Sequence, residues 1–395
     1  MLNYYYRWLA GLLVAVALVG LTGYWFWPRS PAIASIAVSS ALSGTDDTGY
    51  QRAYEPRRFD FPADHGPHPE FRTEWWYATG NLADASGRPF GYQLTLFRIA
   101  LAPTPPIPDS SWRGNQVYMG HFAVTDVAQQ QHHHFERFSR GAMGLAGAQA
   151  IPFRVWLEDW ALTGIESEVF PMRVHARQDN VALDLTLRAA KSVVLQGDRG
   201  LSQKSAEPGN ASYYYSYTRL PTQGTIQLGD RVFTVTGASW LDREWSTSAL
   251  GPDQSGWDWF ALQLDDGRDL MFYRMRRKDG SADPSSNGTL IAADGQFRSL
   301  GGNDVEVQPL GEWVSPVTGD RYPAGWRLRL PAEHLNLTVT PKVTEQEMRL
   351  TVKYWEGAVT VSGHSGVNKI SGQGYLEMTR YELPSSAHRT SSAPH

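Results

Sequence analysis

The chain has no cysteine among its 395 residues. That excludes a disulfide framework, a thiolate zinc site, a cysteine nucleophile and a lipid anchor attached at a cleavage-point cysteine. An excess of one charge is also missing. With 36 Lys and Arg against 40 Asp and Glu, the net charge is −4, so no global field selects nucleic acid or an acidic membrane surface. There is no G-x-S-x-G nucleophile elbow and no phosphate-cradling glycine loop. A Ser-His-Asp triad drawn from His121 or His364 has no local sequence support, and no cofactor is called for. Helical periodicity is scarce beyond residue 27, and charged residues are only 19%.

Aromatic residues are abundant instead, at 12% with 15 Trp and 18 Tyr. That richness suits a β protein with large inward side chains, or a site for an apolar or π-bonded ligand. From Phe59 onward, short alternating runs such as YQLTLFRIAL, VYMGHFAVTD, VALDLTLRAA, DLMFYRM, GWRLRL and MRLTVKYW are separated by Gly, Asp, Asn and Pro. Many short strands at such spacing predict a sandwich or barrel. A weak internal repeat pairs Trp75, Tyr77 and Leu82 with Trp257, Trp259 and Leu264, each set followed by a Gly-Arg turn. Tyr214–Arg219 similarly lines up with Tyr375–Arg380. The expectation is an all-β body of two similar units of roughly barrel size, residues 59–225 and 226–385, divided near Gln223 to Asp230, with a disordered tail over 386–395.

The N-terminus reads as a targeting segment. Arg7 precedes an uncharged run from Trp8 to Trp27, long enough to span a bilayer as a helix. Ala32-Ile33-Ala34 offers a signal-peptidase-like site, whereas the bulky Tyr24-Trp25-Phe26-Trp27 end suits an uncleaved anchor at the membrane interface. Residues 1–34 are thus a signal peptide or signal anchor, 35–58 a linker, and the body is expected in the periplasm or cell envelope, with the inner membrane as a contact.

Two stretches carry candidate chemistry. In Asp64–Leu82, DHGPHPEFRTEWWYATGNL, a polar entry feeds an aromatic strand. Period 2 puts Glu74 and Trp76 on one face, Trp75 and Tyr77 on the other. His65, His68 and Glu70 lack a zinc signature, so no metal site is expected. His68, Glu74 and Trp76 are candidates for a polar and aromatic ligand rim, with Glu74 beside Arg72 as an ion pair the alternative. In Ser239–Ser248, SWLDREWSTS, Asp242 and Glu244 share a face of an extended segment and repel, which raises one pKa and makes a general acid. Trp240, Trp245, Trp257, Trp259 and Tyr273 are the aromatic candidates around them, suited to holding a cation. The opposing reading has both carboxylates satisfying turn amides and Arg side chains. The tract His132-His133-His134 looks like a metal tract, but adjacent histidines on a strand face opposite ways, and it reads as exposed loop.

HPEFRTEWWYATGNL, YQLTLFR, MGHFAVTD, SWLDREWSTS, GWDWFALQLDDG and GQGYLEMTRYEL resemble the AttH-like family, a lipocalin-like group that includes the carotenoid 1,2-hydratases and proteins labelled predicted secreted hydrolases. The resemblance spans about Phe59 to Leu383. It implies two lipocalin-like barrels, a pocket for an apolar small molecule near or between them, and an ABC transporter permease as an envelope partner. Where the carotenoid hydratase branch carries a His just before the Asp of WLDREWS, this chain has Leu241. The functions expected are therefore binding of a lipid or isoprenoid, acid catalysis on an isoprenoid-like alkene through Asp242 and Glu244, or an envelope scaffold.

Overall fold

The computed structural model describes residues 36–37, 47–104, 114–166, 168–247, 250–379 and 381. The apolar run 8–27 and the tail 386–395 lie outside the described residues.

Strand-forming sequence becomes two large, mainly antiparallel sheets and a two-stranded one that pairs Trp313–Val314 with Arg321–Tyr322. The first runs, in spatial order, through Gln131–Arg140, Gln116–Asp126, Pro89–Ala100, Thr73–Asp84, Arg231–Ser246, Ala211–Leu228, Val181–Leu187, Met172–Gln178, Trp160–Gly164, Arg154–Leu157 and Ala146–Gln149. The second runs through Phe297–Gly301, Asn287–Ile291, Asp269–Arg277, Gln254–Leu264, Asn368–Thr379, Val352–Ser365, Leu335–Pro341, Gly325–Leu330 and Glu306–Leu310. Each sheet curls around its own core. Trp76, Leu94, Leu96, Phe122, Trp160 and Leu241 fill the first, and Phe260, Leu262, Phe272, Trp326, Trp355 and Leu376 the second. The alternating burial of Val181–Leu187 is what a strand with one core face requires.

The topology carries the internal repeat. Thr73–Asp84 pairs with the strand that follows it and with the last strand of its sheet. Gln254–Leu264 does the same in the second sheet. Trp75 and Tyr77 therefore occupy positions equivalent to Trp257 and Trp259.

Two expectations change. Gln223–Asp230 does not divide the sheets. It holds the end of one strand and a tight turn, with Leu228 opposite Arg231 and Gly229 at φ 61°, a conformation that favours glycine. The first sheet continues to Ser246, because Arg231–Ser246 closes against Thr73–Asp84. The segment WLDREWS thus belongs to the first barrel and not to the second. Likewise, Tyr214–Arg219 lies on the penultimate strand of the first sheet, whereas Tyr375 is on the last strand of the second. The matched letters there are not matched places.

The barrels meet through the outer faces of their long strands. Asp269 of the second sheet is fully buried and accepts from Lys191 Nζ at 2.7 Å, Arg219 Nη2 at 2.6 Å and Thr218 Oγ1 at 2.8 Å, all from the first unit. At Gly91 the backbones approach so closely that a Cβ would sit 2.7 Å from the Ala358 Cβ across the interface. Gly91→Val is expected to push the barrels apart and lower stability by about 1–3 kcal/mol. Thermal melting and limited proteolysis between the barrels check this; an unchanged melt and digest would contradict so close a contact.

Candidate active site

A cleft lies where the outer faces of the two barrels meet. The volume open to the centre of a water-sized sphere is about 150 Å³. Its aromatic walls include Trp75, Tyr77, Phe97 and Tyr214 from the first barrel and Trp257, Trp259 and Tyr273 from the second. Into this apolar space project Asp242, Glu244, Lys204, His121 and Glu377.

The period of the strand places the acids. Leu241 points into the first core, so Asp242 and Glu244 point the other way, into the cleft. Asp242 is 2% exposed. Its Oδ1 accepts from Ser216 Oγ and, at 2.9 Å, from Trp240 Nε1. Burial pushes its carboxyl up to about 7, against those hydrogen bonds and with a further push from Glu244. Glu244 differs in its surroundings: Lys204 Nζ lies 2.8 Å away and Ser212 donates to it. Lys204 also sits 4.3 Å from the Tyr273 ring centroid. Burial lowers the Lys204 pKa, but Glu244, with Tyr273 and Asp242, outweighs it and the net shift is upward.

The second barrel supplies a matching acid pair. Glu377 stands opposite Trp259 as Asp242 stands opposite Tyr77, so the repeat makes them counterparts. Burial pushes Glu377 up to about 7, while Trp257 Nε1 donates to it. Beside it, Glu356 is fully buried and accepts from Tyr77 Oη at 2.5 Å. Burial, then the charge of Glu377, hold Glu356 well above the carboxylate range, so it is the protonated member of the pair. A third polar group is His121, with Nδ1 2.8 Å from Tyr354 Oη and Nε2 3.1 Å from Glu136. Gln93 donates to the same Tyr354 oxygen.

Of the residues singled out in the sequence, Asp242, Glu244, Trp257, Trp259 and Tyr273 line the cleft. Trp240 stands behind Asp242, with its ring edge-on to Trp259 at 6.4 Å. His68, Glu74, Trp76 and Trp245 do not line it, because they occupy the opposite, inward face of their strands or the loop beneath. Glu74 is fully buried and pairs with both Arg98 and Arg243, while Arg72 turns to Asp47 at 2.7 Å. Arg243 lies 3.9 Å from the Trp76 ring centroid. The His68 ring stacks on Trp245 at 3.7 Å and contacts Asp64 at 3.0 Å. These groups form an ion-pair network that anchors the entry loop. Trp75, Tyr77, Lys204, Tyr214, Glu356 and Glu377 were not singled out as site residues. The repeat held the signal for Glu377, through the strand that pairs with Trp257 and Trp259.

The raised carboxyls give stability a pH dependence. Asp242 moves up from 3.8 to about 7 on folding and Glu377 from 4.5 to about 7. The folded state holds more protons in that window, so their contribution is full below about pH 4 and lost as pH rises through about 7. Asp242→Asn is expected to flatten this slope, so that at about pH 8 it melts above the parent chain. Differential scanning calorimetry across pH tests it; an unchanged slope would contradict the placement of Asp242.

Two duplicated antiparallel barrels with an acid-bearing aromatic cleft between them define a lipocalin-like two-barrel protein. The chain belongs to the AttH-like family, whose model matches residues 52–381. A crystal structure of an AttH from Nitrosomonas europaea is 33% identical, covers 83% of this chain and 98% of its own, and superposes with a TM-score of 0.74. Kievitone hydratase from Nectria haematococca shares the fold at 15% identity, over 84% of this chain and 98% of that one, with a TM-score of 0.63. CghA does so at 12% identity, over 85% of this chain and 95% of that one, with a TM-score of 0.51. No curated protein matches this sequence.

Proposed function

We propose that the cleft binds an apolar, unsaturated small molecule of the lipid or isoprenoid class and transfers a proton to it from Asp242. The observation that carries this reading is a buried carboxyl, shifted to about 7, on the wall of an aromatic cleft. A general acid needs a pKa near the working pH and reach to its target. Protonation turns the π pair of an alkene into a new C–H bond and leaves a cation on the neighbouring carbon. The faces of Trp75, Trp257 and Trp259 supply the negative side of a quadrupole to hold it. Water then adds to the cation and returns a proton to the carboxylate, or an internal nucleophile closes a ring. Glu244 holds the Lys204 ammonium beside Asp242. Glu377, with its protonated partner Glu356, is the second proton reservoir. The hydratase named among the fold's neighbours supports this class of chemistry. The run Trp8–Trp27 supports delivery to the cell envelope, and fractionation that finds the chain only in the cytosol would overturn that part.

The test is incubation of the purified full chain with a set of isoprenoid alkenes in deuterium oxide. Deuterium is expected at the protonated carbon of the true substrate and absent with Asp242→Asn. Native mass spectrometry of gently purified protein reads binding separately. A retained apolar molecule with no deuterium transfer would leave a binding protein, whereas the absence of both would overturn the whole reading.

A further inference from the structure

The proposed acid stands at one end of the cleft, and strand register shows what stands at the other. On the outer face of the first barrel Asp242 is opposite Tyr77, Tyr77 is opposite Thr95, and Thr95 is opposite His121. Neighbouring strands thus present one row of side chains, all of which line the cleft. His121 in turn is opposite Glu136, on the strand Gln131–Arg140. The tract His132-His133-His134 opens that strand half-buried and is not the exposed loop its composition suggests.

The far end of the row is polar. Thr95, His121 and Tyr354 are buried there, and Gln93, fully buried, lies beside them on the face of Thr95. Gln93 Nε2 donates to Thr95 Oγ1 at 2.8 Å and to Tyr354 Oη at 3.2 Å, and Tyr354 Oη is 2.8 Å from His121 Nδ1. This cluster is one partner short. Gln93 Oε1 is buried with no hydrogen bond among the described residues, and Thr95, an acceptor here, keeps its own proton to give. With the Gln93 amide turned end for end, Thr95 donates to it and keeps a lone pair instead. A hydroxyl, which both donates and accepts, answers Thr95 in either case, and buried polar groups of this kind are normally satisfied.

Charge narrows the choice of ligand group. Burial, with the carboxyls of Glu356 and Glu377 nearby, holds the Tyr354 phenol well above its usual range, so it stays a neutral hydroxyl. An anionic head group would meet the same field. Lys204, the cation among the lining residues, is at the Asp242 end and is paired with Glu244. Trp75, Phe97 and Trp257 wall the span between the two ends. Thr95 lies two strand spacings from Asp242 and His121 three, about 10 and 14 Å, roughly the reach of two to three extended isoprene units.

We propose that Thr95 and Tyr354, held by Gln93 and His121, bind a hydroxyl of the substrate, so that the ligand of this cleft is an isoprenoid-type alcohol whose reacting double bond lies about 10–14 Å from its oxygen. The inference rests on the proton-transfer reading of the cleft and adds the polar end of the substrate to it.

The test is isothermal titration calorimetry of the purified full chain with farnesol, with its hydrocarbon counterpart farnesene and with farnesoic acid. Farnesol is expected to bind about tenfold tighter than either. Thr95→Val and Tyr354→Phe each remove a hydroxyl and keep the shape, and each is expected to erase most of the preference of farnesol over farnesene. Thr73→Val, at the other edge of the cleft beside Ser246, leaves that preference unchanged. The ratio is read within each variant, so a general loss of packing cancels, and circular dichroism melts establish folding. Equal affinity of the parent chain for farnesol and farnesene overturns the hydroxyl site, as does binding of none of the three probes. Loss of the preference in Thr73→Val but not in Thr95→Val would place the hydroxyl at the wrong edge and overturn it too. Deuterium transfer without an alcohol preference sinks this inference and leaves the proton-transfer reading standing. An alcohol preference without deuterium transfer keeps the hydroxyl site and removes the proton transfer.

Discussion

Glu74→Ala is expected to destroy the fold of the first barrel. The substitution leaves the guanidinium groups of Arg98 and Arg243 in the protein interior, at 0% and 1% exposure, without their counter-charge. Breaking a buried pair from one side costs about 3–5 kcal/mol, a large share of the stability of a typical domain. Here one carboxylate serves two arginines and also accepts from His68 N at 3.1 Å, so the upper part of that range applies. The loss spreads because Arg98 ties the carbonyls of His68 and Phe71, and Arg243 that of Gly66. Insoluble expression, or a cooperative melt shifted far down, is the expected result. A soluble variant with the parent's melting temperature would contradict it. The pH dependence has the opposite sign to that of the cleft. Burial raises the Glu74 pKa, but Arg243 and Arg98 outweigh it and hold the carboxyl far below its usual 4.5. Its contribution is present above that value and is lost as pH falls toward the folded pKa.

Asp242→Asn is expected to abolish proton transfer while leaving the fold intact. The amide is nearly isosteric, and its oxygen can accept from Ser216 and Trp240 as Oδ1 does. What disappears is the acidic proton. Positioned general acids contribute about 10²–10⁴-fold, and the variant should lose that factor in kcat with little change in KM. In the parent chain, activity should fall as pH rises above about 7, where Asp242 gives up its proton. Glu377→Gln separates the two acids. If Glu377 is only a reservoir, its variant keeps most of the rate and changes the pH profile. Full activity in Asp242→Asn would remove Asp242 from the role and leave Glu377 as the remaining raised carboxyl in the cleft.

Particular residues show how much was legible in the sequence. The alternation of WLDREWS placed Asp242 and Glu244 on one face and Arg243 on the other, as the structure has them. Matching Trp75 and Tyr77 to Trp257 and Trp259 identified equivalent strands, since those positions obey the same pairing in both sheets. The same method failed at Tyr214–Arg219, where Tyr and Thr-Arg recur on strands of different rank. In DHGPHPEFRTEWWY, the polar and aromatic letters describe two faces at once. Glu74 and Trp76 carried the conspicuous chemistry, yet they face the core, and Trp75 and Tyr77 face the cleft. Lys204 and Glu356 stood in stretches with no motif, and only the chain's path brings them to the acids.

The sequence by itself determined the β texture, the duplication, the family and the side of each strand on which a residue must lie. Those follow from local sterics and from a period of two residues, which act within a few positions. The tertiary structure alone decided which of the two faces is interior and which is site, that the last strand of the first sheet runs to Ser246, and that His121 meets Tyr354. Those depend on contacts between segments far apart in the chain. The energy of such contacts comes from burial and charge pairing across the barrels, which no local pattern records.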